Sequence, residues 1–205
     1  MQKSNLQVDV PGLDAFEQVF SFVQNKTLKS NLAIHAQYAV FLSELEANFQ
    51  IIGTAEYSIF KNIVQYTASV VEGVLHYGLE IALEKELVKA EDVMPKAESF
   101  LERKVLFVID ENTKIEGIRS SKKHEKFKKN TQFKTVCDAY KIGQLIQQNL
   151  LNDINDINAL RDKRNKIHLA GLKQRDDYYL KADINTAFET MTNAIEAVRN
   201  LVVNS

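Results

Sequence analysis

The stretch Ile59-Phe60-Lys61-Asn62-Ile63-Val64-Gln65-Tyr66-Thr67-Ala68-Ser69-Val70-Val71-Glu72-Gly73-Val74-Leu75-His76-Tyr77-Gly78-Leu79 decides the fold. Ile59, Phe60, Ile63, Val64, Thr67, Val70, Val71, Val74, Leu75, Leu79 and then Ala82 recur at steps of three and four. A strand would alternate every second residue, so this spacing predicts a helix with a broad buried face, roughly nine turns long and reaching about Val88. Its many β-branched residues lower intrinsic helix propensity. Its stability must therefore come from packing between other helices. Glu72 and His76, four apart, lie beside the apolar stripe, either as a surface pair or as a polar contribution to a nearby site.

Upstream, residues 1–12 read as a loose lead-in ending at Pro11-Gly12, and Asp14 is placed to cap a short helix carrying Phe16, Val19, Phe20 and Val23. A second helical pattern opens at Asn31 with Leu32, Ala33, Ala36, Val40, Phe41, Leu45 and Phe49, and Gly53 marks its break. Downstream, Asp92 to Pro95 is a turn and Lys96 to Arg103 reads as a helical stretch. Val105-Leu106-Phe107-Val108-Ile109 is a short apolar run that suits a strand entering a hairpin, with Ile115 and Ile118 on the return, or a buried helical turn. The helical pattern resumes at Phe133 and runs through Val136, Cys137, Tyr140, Ile142, Leu145, Ile146 and Leu150. A polar linker around Asn152 to Asp156 leads to a helix stopped by Gly171, then to a charged loop over 172–183 and a last helix from Asp183. The expected fold is all-α: an up-and-down helical bundle, one domain over 1–205, with a small insertion around 104–130 formed as a short hairpin or loop.

With 205 residues, 45% of them hydrophobic and 26% charged, the chain has enough apolar surface for a core without staples. The formal net charge of −1 excludes a generally polycationic binder, so any anion site must be local. The single cysteine, Cys137, permits no internal disulfide, which fits a reducing, cytoplasmic setting, and it reads as a buried thiol. One cysteine and four scattered histidines make no structural zinc site, and no metal or other cofactor is expected. No apolar run approaches ~18 residues, so no membrane span is expected.

Local charge concentrates over residues 119–129. Arg119, Lys122, Lys123, Lys126, Lys128 and Lys129 stand against one acid, Glu125, with His124 and Phe127 interleaved. The segment reads as a solvated loop or as an arm contacting a nucleic-acid backbone.

The segment Leu160-Arg161-Asp162-Lys163-Arg164-Asn165-Lys166-Ile167-His168-Leu169-Ala170-Gly171 carries the chemistry. At 100° per residue, positions 161, 164, 165 and 168 share one face. Two guanidiniums, an amide and an imidazole along one strip suit a phosphate, with one group able to move a proton near neutral pH. One helix supplies too few groups to cleave a phosphodiester. Two copies facing each other supply two histidines and four arginines, enough for a base, an acid and positive charge around a 2′-hydroxyl attack.

Leu160-Arg161, Arg164-Asn165 and His168, followed by a loop and one more amphipathic helix, resemble the HEPN superfamily, whose motif is an arginine, four to six residues, then a histidine. The likeness covers helix order over roughly 31–204 and is specific over 160–171. Arg161 with six intervening residues fits, whereas only three separate Arg164 from His168. The resemblance implies a bundle that dimerises along the motif helix and acts as a metal-independent endoribonuclease on RNA, in a toxin, phage-defence or CRISPR-linked setting with an antitoxin or defence partner. His168 would be the catalytic base or acid, Arg161 would orient and neutralise the scissile phosphate, and Asn165 and Arg164 would support it. Ala170 stands where one toxin branch carries a tyrosine modified by a nucleotidyltransferase antitoxin, so the likeness does not extend to that control. Two other readings compete: a non-catalytic interaction module of the same fold, in which Arg164 and Asn165 hold helix ends together, and sequence-independent nucleic-acid binding through residues 119–129.

Overall fold

The computed structural model describes residues 8–146, 151–165 and 179–204. In chain order the elements are α1 (Leu13–Val19), α2 (Lys26–Asn48), α3 (Thr54–Glu84), α4 (Ala90–Val93), β1 (Lys96–Asp110), β2 (Thr113–His124), α5 (Phe133–Ile142), α6 (Leu151–Asn165) and α7 (Lys181–Asn204).

α3 is the axle of the helical body. Every member of its apolar stripe except Ile59 is buried. α7 and α2 pack along it, α5 and α6 cover more of its surface, and α1 rests on α2. This arrangement supplies the packing that a β-branched helix needs to hold its shape. α2 starts earlier than its apolar pattern, at Lys26, because the Asn25 side chain accepts a hydrogen bond from the Leu28 N–H and so caps it. Gly53, at φ 69°, lets the chain reverse between α2 and α3. α3 ends at Glu84, short of Val88, where Glu86 takes a left-handed φ of 56°.

Three buried hydroxyls lock α3 to its neighbours and to its own turns. The Tyr77 hydroxyl accepts from the Gln24 N–H at 3.1 Å and donates to the Phe22 carbonyl at 3.2 Å, fixing the α1–α2 connection. The Tyr140 hydroxyl donates to the Leu75 carbonyl at 2.9 Å, fixing α5. Thr67 donates to the Ile63 carbonyl at 2.9 Å. Each satisfies a polar group that burial would otherwise penalise.

The expectation of an all-α chain needs correction. The body is helical, but β1 and β2 form a long two-stranded antiparallel ribbon, paired from Lys96 with His124 to Asp110 with Thr113. The return strand carries Ile115 and Ile118 as expected, but Lys96 to Arg103 is strand and not helix, and the ribbon begins before residue 104. Good helix formers in that segment are overruled by pairing with residues 119–124, a partner too distant in sequence for local propensity to reveal. The ribbon is rooted where the Glu125 N–H donates to the Pro95 carbonyl at 2.9 Å and His124 Nδ1 lies 3.0 Å from the Met94 carbonyl.

Two smaller expectations shift. Asn152 to Asp156 is no linker but the first part of α6. α5 stops at Ile142 before Gly143, although Ile146 beyond it is buried. The proposed stop at Gly171 and most of the charged loop after it lie outside the described residues.

Candidate functional site

The candidate site is the surface of α3 facing α6, extended by the loop between β2 and α5. α6 buries Ile154, Ile157 and Leu160. That contact turns Arg161 and Arg164 into a half-buried position and leaves Asn165 exposed. Arg161, Arg164 and Asn165 of the expected strip lie in the last turns of α6. His168 lies outside the described residues.

The two arginines are held in different ways. Arg164 Nη1 donates to Glu72 Oε2 at 2.5 Å, with 33% and 27% of the two side chains exposed. Arg161 donates through Nε and Nη2 to Asp162 Oδ1, at 3.2 and 2.8 Å, an exposed carboxylate next to it in sequence. Its side chain is only 14% exposed, and its Nη1 is buried without a hydrogen-bond partner. Such a donor carries a desolvation cost unless something accepts from it. Arg161 also lies close enough to Cys137 to draw its thiol pKa down. Burial of Cys137 outweighs that pull and pushes the thiol up to about 12. Cys137 is therefore a packed, protonated side chain, as its sequence position suggested.

The end of α6 is fastened at further points. Tyr179, buried, donates from its hydroxyl to the Lys163 carbonyl at 3.0 Å, and Lys163 pairs with Asp183 at the start of α7. A cation and a hydroxyl donor at the last turn of a helix complement its exposed carbonyls. Arg164 is thus pinned to α3 on one side and Lys163 to α7 on the other.

Glu72 and His76 are one turn apart on α3, and their pairing in sequence acquires a context. Glu72 serves Arg164 and also lines, with His76, Asn25, Glu80, Phe127 and Lys129, a cleft of about 350 Å³. The Phe127 ring lies against the His76 ring, with centroids 5.8 Å apart. Burial lowers the His76 pKa from its ordinary value of 6.5, against the opposing influence of Glu72, of a backbone hydrogen bond at Thr131 and of Glu80. The ring is accordingly neutral at pH 7. Its Nδ1 is buried without a partner.

The basic segment is divided by the fold. Arg119, Lys122 and Lys123 are exposed on β2, the two lysines at its root end, and Lys126, Lys128 and Lys129 are exposed in the loop that follows. Of the six, Lys129 lines the cleft beside His76. Lys126 and Lys128 line a separate polar cleft of about 460 Å³ with Glu125, Asn130 and Thr131. The six cations thus lie on two elements, a strand and the loop that follows it. The sequence could not reveal this because a strand end and a loop share the same charge run.

Among the described residues no group of three or more His, Cys, Asp or Glu side chains is placed to hold a metal ion. Among them, too, no helix is long and apolar enough to cross a membrane. Comparison with protein-family models, curated proteins and solved structures gives no match to this chain.

Proposed function

We propose that the chain is an RNA-cleaving helical domain of the HEPN type, in which Arg161 binds the scissile phosphate and His168 moves the proton. The observation that carries this reading is the contrast between the two arginines. Arg164 is committed to Glu72, while Arg161 has only its neighbour Asp162 and an Nη1 with no acceptor. Arg161 is the cation of the described strip whose buried Nη1 lacks an acceptor, and an anionic ligand would supply one. Arg161 and Arg164 also have different tasks here: the first recognises phosphate and the second holds α6 against α3. Asn165, exposed on the same strip, adds a hydrogen bond to the same phosphate.

The reaction is attack of a ribose 2′-hydroxyl on the adjacent phosphorus, with the 5′-oxygen leaving. It needs a base for the hydroxyl, an acid for the leaving oxygen and fixed positive charge around the equatorial oxygens. One His168 meets half of the proton requirement. A second copy supplies the other, which is why the reading includes a homodimer. In the setting that the HEPN likeness implies, the enzyme is a toxin or phage-defence nuclease restrained by a partner protein.

The test is incubation of the purified chain with single-stranded RNA in excess EDTA, beside His168→Ala and Arg161→Ala. The expected result is cleavage by the wild type alone, leaving 2′,3′-cyclic phosphate ends. Equal background cleavage by wild type and His168→Ala ends the proposal.

A second reading is favoured by the Arg164–Glu72 pair itself: a non-catalytic interaction module whose motif residues are packing devices. It requires Arg161 to be as important to stability as Arg164. Asn165, being exposed, does not hold a helix end in the way that reading expected.

A further inference from the structure

Among the described elements, the β1–β2 ribbon packs on no helix of the body to any substantial extent beyond its root. An isolated two-stranded hairpin is marginal in water, and it survives when something else covers it. The outer half of this ribbon is apolar. Val105-Leu106-Phe107-Val108-Ile109, with Ile115 and Ile118 on the return strand, are 43–65% exposed. Seven large apolar side chains that open on one hairpin are more than the scattered single ones a monomer normally exposes.

The pairing register explains why these side chains cannot hide on one face. β1 shifts register between Phe100 and Glu102, between Val105 and Phe107, and between Val108 and Asp110. Each shift inserts an extra β1 residue and breaks the two-residue alternation, so neighbouring apolar side chains are spread around the ribbon. Leu106 folds over Gly117, where a Cβ would lie 2.7 Å from its Cδ1, and yet remains 65% exposed.

The charges that flank the apolar run identify the occupant. The order along β1 is Arg103-Lys104, five apolar residues, then Asp110-Glu111. Turned antiparallel against itself about Phe107, this strand brings Lys104 opposite the second copy's Asp110 and Arg103 opposite the second copy's Glu111. Within its own hairpin Arg103 already pairs with Glu116 at 3.5 Å, whereas Lys104 faces Gly117 and Asp110 faces Thr113, so it is the Lys104 and Asp110 charges that go unanswered across the ribbon. A strand that is basic at one end, acidic at the other and apolar between is complementary to its own reverse, which is what a two-fold axis requires.

We propose that the ribbon is a homodimerisation arm, with β1 of one copy lying antiparallel against β1 of a second copy about a two-fold axis at Phe107. The assignment does not depend on RNA cleavage, and the arm serves a catalytic or a non-catalytic body equally well.

The experiment is light scattering coupled to gel filtration, and sedimentation equilibrium, on the full chain. The wild type self-associates. Phe107→Asp has half the assembly mass of the wild type, whether or not the bodies also pair through α6, with unchanged helical circular dichroism because the ribbon supports no helix. Lys104→Asp and Asp110→Lys each weaken dimerisation by about tenfold or more through like-charge apposition. The double variant, Lys104→Asp with Asp110→Lys, restores it. A wild type that stays monomeric at concentrations on the order of 100 µM overturns the proposal, as does a dimer untouched by Phe107→Asp. A double variant no tighter than either single variant overturns the antiparallel arrangement. A monomer that sediments with anionic lipid vesicles, and no longer does so as Phe107→Asp, gives the surface to a membrane and also overturns it.

Discussion

Arg164 and Glu72, 92 positions apart in sequence, meet through a single charged hydrogen bond of 2.5 Å between α6 and α3. The contact joins the helix that carries the motif to the helix that organises the core. It also answers the question left by Glu72 and His76 in the sequence. The acid is a clamp for the motif helix, and it also lines the cleft that holds the imidazole one turn away.

The clamp predicts a coupling. Arg164→Ala and Glu72→Ala should each destabilise the chain, because each leaves a half-buried charge without its partner. The double variant should lose less than the sum. A coupling energy on the order of 1–2 kcal/mol is expected for a charged hydrogen bond that water partly reaches. Chemical denaturation of the four proteins measures it. Additive losses would show that the pair contributes nothing specific.

Gly78 predicts a steric effect. α5 and α7 both press on α3 at this residue. A Cβ there would run into the Tyr140 hydroxyl and lie 2.8 Å from Val198 Cγ1. That hydroxyl is not free to retreat, since it donates to the Leu75 carbonyl. Gly78→Ala should therefore lower stability by about 1–3 kcal/mol, despite alanine's better helix propensity. Tyr140→Phe should relieve part of the clash, so Gly78→Ala should cost less in that background. A thermal melt in which Gly78→Ala is neutral or stabilising contradicts this account of the packing.

His76 predicts a pH dependence with a definite sign. Burial lowers its pKa below 6.5 in the folded chain. The unfolded chain therefore takes up a proton at a pH where the folded chain does not. Stability from this group is complete above pH 6.5 and falls as pH drops from there through the folded-state value. Between pH 7 and pH 5.5 the wild type should lose more stability than His76→Gln, while the carboxylates remain largely ionised. Parallel losses in the two proteins would show that His76 titrates normally.

The helices were legible because their causes are local. The stripe from Phe60 to Ala82 is spaced at three and four residues, and nearly all of it is buried. Gly53 marks a reversal in the sequence because only a residue without Cβ takes φ 69° freely. The ribbon was half legible. Val105 to Ile109 reads as a strand or a buried helical turn, but Lys96 to Arg103 reads as helix, because its strand state comes from residues 119–124 and not from its own composition. The same limit governed the site. The α6 strip follows from helical periodicity, whereas the acceptor of Arg164 lies on another helix and Lys129 reaches the His76 cleft through a loop. Periodicity finds a face but not what it meets.

Cys137 offers a check on the core near Arg161. It is 1% exposed, and its thiol is pushed up to about 12. At pH 8 the native chain should react with a thiol reagent far more slowly than the unfolded chain, whose cysteine has an ordinary pKa near 8.5. Arg161→Ala should slow it further, since the guanidinium is what draws the pKa down. Fast native labelling would mean that α5 opens readily in solution.

The last prediction separates the two arginines by task. Arg161 and Arg164 stand three residues apart on one helix, and a purely structural motif would make them alike. Their surroundings differ, since Arg164 has Glu72 while Arg161 has Asp162 beside it and a buried Nη1 with no partner. Arg161→Ala should therefore reduce RNA cleavage by at least about 100-fold, the scale of losing a phosphate contact made in the transition state, with little change in melting temperature. It should even relieve the cost of an unmatched buried donor. Arg164→Ala should lower the melting temperature and reduce cleavage only as far as α6 shifts. Arg161→Lys should recover part of the activity, because a point charge replaces a fork at the phosphate. If Arg161→Ala destabilises the chain as much as Arg164→Ala and leaves RNA cleavage intact, the strip is a packing device and the catalytic assignment fails.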